Sequence, residues 1–164
     1  MKPHKSMRGY FAHALYQQME RRDNIIVLLG DLGYGMFDAI RDRYPQRVIN
    51  CGAAEQAMMD MAVGLAYEGK IPVVYSITPF LIYRPFETIR TYINHENLNV
   101  KLVGSGRDKD YKHDGISHWS EDVGDFMKHF ENIECCYPAK MEQMYDVVRK
   151  MFVKTRPMFI SLKR

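Results

Sequence analysis

Apolar positions along the chain fall into two rhythms. Short continuous runs, such as IIVLLG at Ile25–Gly30 and PVVYSI at Pro72–Ile77, alternate with longer stretches where apolar residues recur every three or four positions. This pattern predicts helices over Arg8–Arg22, Phe37–Tyr44, Ala54–Glu68, Phe86–Asn94, Glu121–Phe130 and Met141–Lys154. Between them it predicts strands at Ile25–Gly30, Val48–Cys51, Pro72–Ile77, Val100–Val103, Ile133–Cys136 and Met158–Leu162. Strands that are apolar throughout are buried on both faces. The expected fold class is therefore α/β, with about six mainly parallel strands in a three-layer arrangement and helices on both faces of the sheet. No repeat, linker or low-complexity segment interrupts the alternation, so residues 1–164 read as one domain.

Composition narrows the function classes. With 46% hydrophobic and 26% charged residues and a formal charge of only +3, the chain lacks the basic excess of a nucleic-acid binder. Its first residues, MKPHKSMRGYFAHAL, mix charge with polarity where a signal peptide needs a continuous apolar core, and no apolar run reaches membrane-spanning length. A cytoplasmic location is expected, with neither nucleic acid nor membrane as a partner. The three cysteines, Cys51 and the adjacent pair Cys135–Cys136, fall within predicted strands, which suits reduced buried thiols better than a disulfide frame or a metal site.

Candidate chemistry gathers at the predicted carboxyl edge of the sheet. At VINCGAAEQAMMDMAVGLAYEG a strand breaks at Gly52 and a helix opens with Glu55 in its first turn. An acid there either complements the helix dipole or serves a ligand at the sheet edge. Three predicted loops share that edge. The first, Gly30–Gly35, carries Asp31 but neither a dinucleotide fingerprint nor a phosphate-loop lysine. The second, Thr78–Glu87, is dense in aromatics, with Phe80, Tyr83 and Phe86 beside Arg84 and Glu87; core plugs and a helix-face ion pair are the bland readings. The third, Gly104–Ser120, is long and polar and carries His113, Asp114 and His118.

The segment from Arg47 to Gly69, with Glu55–Gln56 before a helix of small residues, resembles the pyrimidine-binding domain of transketolases and 1-deoxyxylulose-5-phosphate synthases. The resemblance continues through Phe80, Arg84 and Glu87–Arg90, then Asp114-Gly115-Ile116-Ser117-His118, and ends with Pro157–Arg164. It implies a thiamin-diphosphate-binding fold in which Glu55 bonds the ring nitrogen of the aminopyrimidine and activates the cofactor. Phe80, with Tyr83 and Phe86 as secondary candidates, would stack on that ring, and Asp31 would lie close to cofactor and substrate. Asp114 would read substrate hydroxyls, and His118 would act at the reacting carbonyl. His113, Arg84 and Arg164 are further substrate-binding candidates. Two departures stand out: no serine for a sugar phosphate is found at Gly35, and a phosphate-binding histidine of many transketolases falls opposite Gly106. Arg107, Lys109, Lys112 or His113 are the cations available in its place.

The resemblance also implies partners. No Gly-Asp-Gly occurs, since Gly30-Asp31 and Gly124-Asp125 are followed by Leu and Phe, so the magnesium that holds the cofactor diphosphate should come from another subunit. This chain is then expected to be the pyrimidine-binding subunit of a split transketolase-like transferase. It would work with a diphosphate-binding partner in an α2β2 assembly, without the family's third, carboxyl-terminal domain, and would itself ligate no metal. Alternatives are a subunit of a two-subunit 2-oxo acid decarboxylase that uses thiamin diphosphate, and a noncatalytic scaffold of the same fold.

Overall fold

The computed structural model describes residues 4–164. Its elements run α1 (Met7–Met19), β1 (Ile25–Leu29), α2 (Asp38–Arg43), β2 (Val48–Asn50), α3 (Glu55–Tyr67), β3 (Ile71–Ile77) and α4 (Thr78–Tyr83). They continue with α5 (Phe86–Thr88), which widens into a π-helical stretch at Ile89–His95, then β4 (Lys101–Ser105), α6 (Val123–Met127), β5 (Glu134–Cys136), α7 (Met144–Val153) and β6 (Met158–Leu162). The strands form one sheet in the order β2-β1-β3-β4-β6-β5, and every pairing is parallel.

Alternation along the strands feeds two cores. Ile25, Val27 and Leu29 of β1 join Val73, Tyr75 and Ile160 in a layer under α1 and α7, while Ile26 and Leu28 join Val74, Leu102 and Phe159 under α3, α4 and α6. Helix α1 contributes Met7, Phe11, Leu15 and Met19, spaced four apart, and its start is fixed by Ser6, whose hydroxyl accepts from the Gly9 amide at 3.1 Å. Helix α7 buries Met144, Val148, Met151 and Phe152 in the same rhythm. At the opposite end of the sheet from the loops that concern function, the buried Lys101 donates its ammonium to the Lys154 and Arg156 carbonyls at 3.0 and 2.7 Å, beside the C-terminus of α7.

Three local expectations are corrected. The strand predicted at Val48–Cys51 is the sheet edge, so β2 is short and half-buried to exposed; an edge strand covers only one side. Cys51 lies beyond it, and all three cysteines are free and half-buried instead of buried. The segment Thr78–Glu87 is not a loop: Pro79, in the first turn of α4, supplies a preset helical φ, and Pro85 interrupts the chain before α5 begins.

The strand order reverses between β1 and β3. From β1 the chain moves outward to β2, then returns across β1 to β3, which opens a crevice at the carboxyl ends of β1 and β3. Helix α3 is the return crossover, and its first residue is Glu55.

Candidate active site

Glu55 is only 2% exposed, an unusual setting for a carboxylate. Gly52, at φ +68°, turns the chain sharply after β2 and aims the start of α3 back over the sheet. From there the carboxylate crosses the end of β1 to reach β3, where the Ser76 hydroxyl donates to Oε1 at 2.9 Å. Gly30 lies beneath this bridge: a Cβ there would stand 2.7 Å from Ser76 Oγ and 3.4 Å from Glu55 Oε1. The other oxygen, Oε2, is ion-paired with Arg84 Nη1 at 2.5 Å. The helix-face pair of Arg84 with Glu87 is therefore replaced by a link between α4's end and the buried acid.

Further contacts lead outward from that pair. The Arg84 guanidinium carbon lies 3.7 Å from the centre of the Phe80 ring. Phe80 meets His118 edge to face with ring centres 4.8 Å apart, and His118 Nδ1 is 3.0 Å from the Ser117 hydroxyl. Glu55, Arg84, Phe80 and His118 thus form one contiguous line from the switch crevice to the surface. His113 and Asp114 sit nearby in sequence, on an exposed 3-10 turn. Tyr83 points elsewhere. Its ring packs on Phe126, and it lines a separate cavity of about 360 Å³ with Ile116, Trp119, Glu121 and Asp122. Burial and the neighbouring Asp122 carboxylate push its phenol well above the usual range.

Asp31 occupies the adjoining loop in a left-handed conformation, φ +53°. Its carboxylate accepts from Tyr34 at 2.6 Å and from the Asn50 amide at 3.2 Å; both bonds lower its pKa, and the bond to Asp31 raises that of Tyr34. Asn50 also accepts from the Asp31 and Gly52 amides at 3.2 and 3.0 Å, so one side chain ties the β1 and β2 loops together. Neither Asn50 nor Ser76 stands out in the sequence. Their signal is position: each is a small polar residue at the end of a predicted apolar strand.

The third loop turns on Tyr111, which the sequence does not single out either. Gly106 has φ +86°, and a Cβ there would collide with the Tyr111 ring at 2.3 Å, so the phenol fills the space a histidine at this position needs. Tyr111 bonds Ser105 at 2.9 Å, accepts from Arg8 at 3.3 Å and lies under the Arg164 guanidinium at 4.8 Å. Arg164 is anchored: its amide, like that of Arg107, donates to Asp110 Oδ2, at 2.8 and 3.0 Å. Arg107 is no free cation, because its guanidinium is spent on Ser161 and the Pro138 carbonyl. Lys109 pairs with Glu121 at 3.2 Å.

A buried carboxylate at a switch crevice, with an aromatic ring close by, is a donor set suited to a planar nitrogen heterocycle. The comparison with known families agrees: residues 4–164 match the family described as transketolase, pyrimidine binding domain. The chain belongs to that family. Among relatives of this pyrimidine-binding domain, a Methanocaldococcus jannaschii protein assigned provisionally as a transketolase C-terminal section is 31% identical over 163 residues, 98% of this chain and 51% of the relative. One of the apulose-4-phosphate transketolase subunits of Actinobacillus succinogenes is 32% identical over 119 residues, 73% of this chain and 38% of that protein. A solved structure described as a split gene transketolase, inactive beta4 tetramer, superposes with a TM-score of 0.84 at 29% identity, covering 97% of this chain and 51% of that one. The chain thus spans about half the length, or less, of these relatives. Among the described residues, no group of three or more His, Cys, Asp or Glu side chains could hold a metal ion, and no helix is long and apolar enough to cross a membrane.

Proposed function

We propose that this chain is the pyrimidine-binding part of a split, thiamin-diphosphate-dependent transketolase that moves a two-carbon ketol unit to an aldehyde acceptor. The observation that carries the reading is Glu55: a carboxylate 2% exposed, held over the β1–β3 crevice within one side chain of the Phe80 ring. The bound cofactor supplies a nucleophilic carbon for cleaving the bond next to a ketose carbonyl. Every other task belongs to the protein.

Glu55 hydrogen-bonds the aminopyrimidine ring nitrogen, and Ser76 keeps the carboxyl group oriented while it does so. Phe80 offers an aromatic face to the ring, and the edge-on His118 stands where a substrate carbonyl or hydroxyl is bound and a proton moved. Asp31, braced by Asn50 and Tyr34, borders the cofactor side of the crevice. Asp114, His113 and Arg164 serve the acceptor, with Tyr111 taking the space of the phosphate-binding histidine. The family name of this domain, and relatives named as a transketolase subunit and a split gene transketolase, support a two-subunit enzyme. In this reading residues 1–164 are a single pyrimidine-binding domain. The partner subunit carries Gly-Asp-Gly and holds Mg2+ with the diphosphate, the assembly is α2β2, and the enzyme works in the cytoplasm.

Calorimetry with thiamin diphosphate and Mg2+ tests the division of labour. Binding in a mixture with the Gly-Asp-Gly subunit, and none with this chain alone, is expected. Tight binding by the chain alone, or none in any mixture, contradicts it.

A further inference from the structure

We propose that Arg84 is a cofactor-responsive latch: it occupies Glu55 and Phe80 in the empty subunit and is displaced from both when the aminopyrimidine enters. The proposal rests on the thiamin diphosphate reading above.

Burial of Glu55, 2% exposed, is costly. A carboxylate this deep needs a partner for each oxygen, because an unpaired buried charge is far more costly than a buried pair. Oε1 has Ser76. Oε2 has Arg84, the one cation that reaches it among the described residues. The same guanidinium lies 3.7 Å over the Phe80 ring. One planar, nitrogen-bearing group thus covers both surfaces that a planar nitrogen heterocycle requires: a carboxylate oxygen and an aromatic face. The two occupants are mutually exclusive.

Arg84 is also built to leave. Its side chain is 44% exposed against 2% for Glu55, and it sits where α4 ends, with Pro85 breaking the helix immediately after it. Withdrawal returns the guanidinium to water at little desolvation cost, and one proton taken from solvent and shared between Oε2 and the ring nitrogen replaces the departing charge. Glu55 is thereby satisfied in both states, which lets a buried acid be kept ready before the cofactor arrives. Binding must compete with the latch, so removing the latch tightens binding.

The test uses Arg84→Met, which keeps an apolar stem without the charge, and Arg84→Lys, which restores charge without the planar fork. Circular dichroism first establishes that each variant is folded. In the cofactor-free chain, Arg84→Met should lower the unfolding midpoint in the wild-type background and leave it unmoved in Glu55→Gln, a coupling that a side chain acting only on substrate does not show. In the complex with the diphosphate-binding subunit, calorimetry should show thiamin diphosphate binding to Arg84→Met tighter on the order of tenfold, the loss of one charge-assisted contact from the empty state, with Arg84→Lys between it and wild type. Unchanged or weaker binding by Arg84→Met overturns the latch, and a raised KM with unaltered cofactor affinity assigns Arg84 to substrate instead. A complex in which neither wild type nor Glu55→Gln binds thiamin diphosphate overturns the reading of function beneath it; the midpoint coupling on the chain alone separates these two failures.

Discussion

Ser76 and Glu55 are joined across a strand that belongs to neither. Glu55 follows β2, Ser76 lies near the end of β3, and β1 runs between those strands; the 2.9 Å bond between them passes over the end of β1 at Gly30. The bridge exists because the strand order reverses there, leaving room above β1 for a side chain from one neighbour to reach the other. It also makes a glycine necessary at the crossing.

Replacing Ser76 with Ala removes a donor to a buried carboxylate while leaving the strand's packing nearly unchanged. The chain should lose about 1–3 kcal/mol of stability, the usual range for an unmet buried group, with its helix content intact. Denaturant unfolding followed by circular dichroism measures this. A loss below about 0.3 kcal/mol, within the scatter of ordinary surface substitutions, would mean that the bond carries no weight.

The histidine position taken by Gly106 yields a sharper expectation. Gly106→His should not be accommodated in the folded chain. At φ +86° a side chain is strained, and its Cβ would meet Tyr111 at 2.3 Å. The substitution should cost about 2 kcal/mol or more through backbone strain and overpacking. Pairing it with Tyr111→Ala should recover part of that loss. Thermal unfolding of the single and double variants decides the matter; a fully stable Gly106→His would show that Tyr111 does not hold the space.

The architecture was largely legible because β1, β3 and β6 are dense apolar runs and the helices carry a clear three-to-four spacing. Glu55 could be placed at the sheet edge from Gly52 and the helix start alone. What stayed hidden depends on contacts between segments distant in sequence. Arg84 reads locally as a partner for Glu87, yet its carboxylate lies 29 residues away on α3. Nothing in the pattern of the Gly104–Ser120 segment indicates that Tyr111 folds back over Gly106. The helix α4 was obscured by its own composition, since a Thr-Pro start and a Pro stop resemble a loop when only a short aromatic segment lies between them.

Lys101 gives the fold a distinct pH signature. Burial pushes its ammonium down to about 8 from an ordinary value near 10.5. Between these values the unfolded chain holds more protons than the folded one, so stability due to this group rises with pH across the window. The penalty is fully present below pH about 8. Half-buried thiols, and Tyr75, whose phenol is pushed up to about 12, act in the opposite sense at higher pH, so the comparison is with Lys101→Met. The difference between the two unfolding profiles should move in favour of wild type as pH rises from 8 to 10.5. Parallel profiles would contradict the assignment.

The central claim is that Glu55 activates a bound thiamin diphosphate, and exchange of the cofactor's C2 hydrogen with deuterium tests it most directly. The measurement is made on the complex of this chain with its diphosphate-binding partner, comparing wild type with Glu55→Gln at saturating cofactor. The account predicts rapid exchange in wild type and a loss of about 100-fold or more in the variant, as expected when a positioned acid–base group is removed. Near-normal exchange in a folded, cofactor-loaded Glu55→Gln complex would contradict it.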